Sequence, residues 1–217
     1  MAIFFRMPFA LTWQAWLLSA FISSMSFAEM ASLHAQTLSG LRIGDDKSSI
    51  EKLGSPNITE QDGPYTLVEY EFSNGNELHI TISQAGKIAY MELDWGGKQE
   101  GARSDFPGFS FGTTNLDEIM TKFGSTGMTF SKRPWLSDEA GGIVMLNSYE
   151  VGTTVLTVAT KVDNIDLPAM MAELKKGVPA MPKYARLVSL ILADADYVRI
   201  NWGERTYDKE YKKIESK

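Results

Sequence analysis

The chain has 217 residues, 44% of them apolar and 22% charged, which excludes collagen-like, low-complexity and wholly disordered chains and leaves enough apolar surface for one or two packed domains. The 21 basic residues against 27 acidic ones give a formal charge of −6, an unfavourable balance for gripping a nucleic-acid backbone, so no nucleic acid is expected as a partner. Cysteine is absent, which removes disulfides, thiolate metal sites, iron–sulfur clusters, a cysteine nucleophile and a lipid-modified cysteine together.

At the N-terminus, Arg6 is the one charge before Glu29, and between Phe9 and Ile22 only Thr12, Gln14 and Ser19 interrupt apolar residues. This reads as the apolar region of a signal peptide, and Ser26-Phe27-Ala28 supplies the small residues that a signal peptidase recognises. The alternative is an uncleaved anchor, but a span needs about 20 predominantly apolar residues and this run is shorter. The expectation is therefore a signal peptide over 1–28, a flexible mature N-terminus over 29–37, and a soluble exported protein of the periplasm with no stable membrane span after cleavage.

From Leu38 onward, Asp45 or Asp46 can cap a short helix with Ile50 and Leu53 on one face, Gly54 past its end and Pro56 as a stop. Three strand signals follow: Val68, Tyr70 and Phe72 alternate, then Leu78, Ile80 and Ile82, then a run holding Ile88, Tyr90 and Trp95, with turns at 73–76 and 84–86. This predicts a first unit over 38–96, a helix and a three-stranded meander with one buried and one wet face. A linker rich in glycine, proline and charge follows over 97–108.

The second unit, 109–207, repeats the plan. Thr114 and Asp117 resemble a capping box, Leu116, Ile119 and Phe123 share a helix face, and Gly124 ends it. Strands are predicted over 143–150 and 153–162 around a Val151-Gly152 turn, an inserted helix over 166–176, and a strand from Leu187 to Leu192. Asp194 then opens a segment in which Tyr197, Ile200 and Trp202 point inward, before a charged tail over 208–217 that frays. The expected fold class is α+β, two tandem helix plus antiparallel β-meander units with the helices packed on one face of the sheet.

The glycine-to-proline pattern from Gly44 to Pro56, followed by a strand ending in a glycine turn such as Gly86, resembles the SmpA/OmlA envelope family. A tandem pair of such units is similar in architecture to β-lactamase inhibitor protein. The resemblance implies an envelope assembly accessory or an enzyme inhibitor. It covers 38–95 best, since the second half lacks the proline after Gly124-Ser125. The lipoprotein members of the family carry a cysteine after the signal peptide, and this chain has none.

Candidate chemistry is sparse. His34 lies in the mature N-terminus and His79 on the wet side of a strand, so neither forms a serine-hydrolase set or a spaced zinc site, and no metal or cofactor is expected. The pairs Asp45/Asp46, Glu69/Glu71 and Asp194/Asp196 read as caps and wet-face residues rather than a calcium loop. No phosphate-loop or dinucleotide glycine pattern occurs. The aromatic residues carry more. Trp135, beside Arg133 in the loop 132–139, is the leading contact candidate, joined by Trp95, Tyr65 and Tyr149. The residues thus favour a periplasmic module that binds another envelope protein over an enzyme. The alternative is a carboxylate-dependent envelope hydrolase using Asp94, Asp194 and Asp196.

Overall fold

A computed structural model describes residues 37–98, 104, 106, 108–133, 136–139, 141–207 and 209–214. The segments read as signal peptide and mature N-terminus, and Trp135, lie outside the described residues. The predicted alternation appears in β2 (Tyr65–Glu71) and β3 (Glu77–Ile82), where Val68, Tyr70, Leu78, Ile80 and Ile82 are buried, and Glu69 and His79 between them are partly exposed, while Thr81 is also buried. β4 (Ile88–Asp94) pairs antiparallel with β3, and β1 (Ile58–Asp62), exposed along its whole length, pairs with the other edge of β2.

One irregularity decides what faces where. The β3–β4 register pairs Thr81 with Tyr90 but Ile82 with Ile88, so β4 carries one extra residue at Ala89. Strict alternation would put Ile88 and Tyr90 on one face. The bulge turns Tyr90 over to the face of His79, where it is nonetheless buried, followed by the partly exposed Glu92 and Asp94, and leaves Met91 and Leu93 buried on the other side.

In the second half, α1 (Leu116–Phe123) buries Leu116, Ile119 and Phe123 and ends at a left-handed Gly124, as the spacing predicts. Its capping box is one residue later than expected, formed by Asn115 and Glu118. β5 (Met128–Phe130) and β6 (Leu136–Glu139) precede the long hairpin of β7 (Gly142–Val151) and β8 (Thr154–Asp163), which turns at Gly152-Thr153. The 132–139 loop reading is corrected for Leu136–Glu139, whose backbone pairs with β7. The inserted helix is α2 (Leu167–Leu174), followed by the short α3 (Met181–Tyr184), β9 (Arg186–Asp194), α4 (Ala195–Trp202) and β10 (Arg205–Tyr207).

The expected fold of two tandem helix-plus-meander units with helices on one face is overturned. Among the described residues a single antiparallel sheet runs β1-β2-β3-β4-β9-β8-β7-β5-β10, with β6 also paired to β7. The join is β4 against β9, five residue pairs from Tyr90↔Ala193 to Asp94↔Ser189, which makes the two meanders one surface. The first predicted helix is a 3-10 turn, Lys47–Leu53, with no fully buried residue, so Ile50 and Leu53 do not form a packed helix face. Nor do the helices share a face. Phe123 of α1 packs its ring against Tyr149 at 4.5 Å, whereas Val198 and Trp202 of α4 pack with Tyr90, Val155, Ile191 and Ala193 on the opposite side. Within α4, Ile200 is exposed at 57% and Val198 takes the inward place assigned to it. The tail does not simply fray: Ile214 is buried beside Val151, and the Tyr211 hydroxyl donates to Glu150 at 2.9 Å.

Candidate functional site

Cross-strand register assembles what the linear order separates. The rows Glu69↔His79↔Glu92 and Glu71↔Glu77↔Asp94 run across β2, β3 and β4 on the face that the bulge opens. His79 stands at the centre. Its Nδ1 lies 3.6 Å from Glu69 Oε2, and its Nε2 lies 3.4 Å from Asp94 Oδ2 and 3.8 Å from Glu77 Oε2. These side chains are 30–49% exposed, so the cluster is reachable from solvent.

Glu92 sits deeper, accepting hydrogen bonds from the Tyr90 hydroxyl and, at 3.4 Å, from the Ser189 hydroxyl. Burial, reinforced by the neighbouring Asp94 charge, pushes its carboxyl above the usual carboxylate range. His79 is also raised, first by its hydrogen bond to Asp94; burial opposes this, and the Asp94, Glu69 and Glu92 charges add to it. The Tyr90 hydroxyl is pushed up by burial and by Glu92, so it remains a donor.

An aromatic arc borders the acidic rows. Tyr65 meets Tyr197 edge-on at 5.4 Å, Tyr197 meets Tyr90 at 5.5 Å, Tyr90 meets Trp202 at 6.1 Å, and Trp202 meets Phe130 at 5.5 Å. The Arg133 guanidinium closes the arc, 4.3 Å above the Trp202 ring. α4 holds this geometry through Asp194, whose carboxylate accepts from the backbone N–H of Asp196 and Tyr197.

Of the contact candidates, Tyr65 and Arg133 therefore come to opposite ends of one arc. Tyr149 is fully buried on the other face and cannot meet a partner. Trp95 is half-buried, and a Cβ added at Gly112 would fall 2.4 Å from its ring, so it packs against that turn instead of joining the arc. Asp194 is spent as a cap, and Asp196 pairs with Arg199 on the surface. Sequence reasoning missed His79, Glu77, Glu92, Tyr90, Tyr197 and Trp202 as one constellation; its only trace is that acidic residues recur at wet-face positions of three consecutive strands. Among the described residues no group of three His, Asp or Glu side chains is arranged to hold a metal ion.

The raised Glu92 carries a stability consequence. Because its folded pKa lies above the unfolded one, its contribution is present below the ordinary carboxylate range and is lost as pH rises through the folded value. Glu92→Gln removes that loss, so the variant should gain stability relative to wild type as pH rises from 4 to 7. Urea unfolding across this range checks it; a difference that stays flat contradicts the assignment.

No family model and no curated protein matches the chain. Among solved structures it is similar to an extracellular protein containing a SCP domain from Bacillus anthracis str. Ames, at 10% identity and a TM-score of 0.47, covering 82% of this chain and 52% of that one. The chain thus spans about half the length of that protein. Among the described residues no helix is long and apolar enough to cross a membrane.

Proposed function

We propose that the protein is an exported binding module whose acidic, aromatic-edged sheet face receives a basic surface of another envelope protein, in an assembly or inhibitory role. The observation that carries this reading is the convergence of Glu69, Glu77, Glu92 and Asp94 around His79 on a solvent-facing sheet, beside an arc of tyrosines. Like charges gathered this closely cost folding energy, and an incoming lysine or arginine relieves that cost. Tyrosine adds contact area with little rotamer entropy to lose, and Tyr65 and Tyr197 are only half-buried. The signal-like segment 1–28 and the resemblance of Gly44 to Pro56 to envelope proteins support placing the partner in the periplasm.

A lysine-rich decapeptide titrated into the isotope-labelled protein tests the reading. Amide shifts should move at Glu69, His79 and Asp94 and stay still along α1. Shifts scattered over every acidic surface contradict it.

A carboxylate-dependent hydrolase is the second reading, favoured by one observation: Glu92, with its carboxyl raised, lies beside Asp94 on the same strand face and can hold a proton for delivery. Glu92→Gln separates the two. In a hydrolase this isosteric change abolishes the cellular phenotype while affinity for the lysine-rich peptide persists, whereas in a binding module phenotype and peptide affinity change together.

A further inference from the structure

On the opposite face of the sheet, α1, α3, β5, β7 and β10 line a pocket of about 530 Å³ that is partly open to solvent. This is the size range of pockets that hold small organic molecules. Four methionines from four separate elements line it: Met120 of α1, Met128 of β5, Met145 of β7 and Met181 of α3. Thioether side chains are unbranched and polarisable, so they mould to an apolar guest without a fixed shape of their own. Polar groups also line the cavity, among them Thr129 and Thr206, which stand directly opposite each other across β5 and β10. Among the described residues that line the cavity none is charged.

These features select a ligand class. An ionised carboxylate or ammonium seated among these apolar walls would lose part of its hydration and find no opposite charge in the lining. A neutral molecule loses little and gains dispersion contacts with the methionines. A single hydroxyl or carbonyl can be met by the threonine hydroxyls. We infer that this cavity is a binding site for a neutral, largely apolar small molecule carrying one hydroxyl or carbonyl group. Met145 lies on the Tyr149 side of β7, away from the acidic rows, while Met128 also belongs to the cluster packed against Trp202 of α4.

The test is a fluorescence titration of the full mature chain with N-phenylnaphthylamine, a neutral apolar probe, followed by competition with dodecanol, dodecanoate and dodecylammonium. Saturable binding at one site is expected, with dodecanol displacing the probe at least about tenfold more effectively than either ion. Met120→Trp and Met181→Trp fill the cavity from two walls, so one suffices if the other fails to fold. Each should weaken the probe about tenfold or more, while Met171→Trp, on an exposed position of α2, leaves affinity unchanged. Absence of saturable binding, retained affinity in a folded cavity-filled variant, or equal displacement by the ions would each overturn the inference.

Discussion

Replacing Trp202 by alanine is expected to destabilise the protein by about 3–5 kcal/mol, the range for removing a buried indole from a packed core. Trp202 is 7% exposed and joins three things: it meets Tyr90 and Phe130 edge-on, and Arg133 stacks on its outer side. Truncation leaves a cavity under α4 and removes the platform on which Arg133 is held. The Trp202→Phe variant keeps most of the ring contact and should recover more than half of the loss. Denaturant unfolding measures both. A cost below about 1 kcal/mol for the alanine variant would mean that α4 does not anchor to the sheet as described.

The largest functional effect is expected from reversing charge on the open face. Glu69→Lys with Asp94→Lys removes two carboxylates flanking His79 and places two cations where the partner's basic group should arrive. Each of these side chains is 30–40% exposed, so solvent screens the interaction and the estimate must be discounted. Affinity for a basic partner or the lysine-rich peptide should still fall at least about tenfold. Asp163→Lys with Asp196→Lys changes net charge equally from exposed positions elsewhere and should leave affinity within about twofold. Calorimetry at low and physiological salt reads the difference. Equal losses in the two double variants would reduce the effect to overall charge and remove the case for a defined face.

Local periodicity made part of this fold legible. Val68 and Tyr70, then Leu78, Ile80 and Ile82, announce two half-buried strands, and Leu116, Ile119 and Phe123 announce the buried stripe of α1. Features set by distant pairing left no such mark. β1 is ITEQD, exposed throughout and without apolar alternation, and β5 and β10 are three residues each, too short to show a period. Nothing local in β4 announces that its neighbour is β9, nearly a hundred residues later, yet that pairing turns two meanders into one sheet.

The candidate site was less legible than the fold, for the same reason. Glu69 and His79 each read as a solvated wet-face side chain, which is true of each alone. Their juxtaposition is a property of the β2–β3 register, and the addition of Tyr90 and Glu92 depends on the bulge at Ala89. Aromatic content pointed to contact residues, and Arg133 and Tyr65 do reach the arc, but Tyr149 is in the core, where Phe123 claims its ring at 4.5 Å. Trp202, placed inward from its spacing, packs on the other side of the sheet against Tyr90 and Phe130 and carries the Arg133 guanidinium.

The β2–β4 face is proposed to meet a specific basic partner after export. Photo-crosslinking amino acids at Glu71 and Glu77, both exposed on that face, and at Met171 on α2, test it in cells that export the protein. One discrete adduct, identified by mass spectrometry as a protein with a basic surface, is expected from the two face positions only, and it should be lost when Glu69→Lys and Asp94→Lys are introduced. Adducts that are absent from the face, or that form equally from Met171, would contradict it.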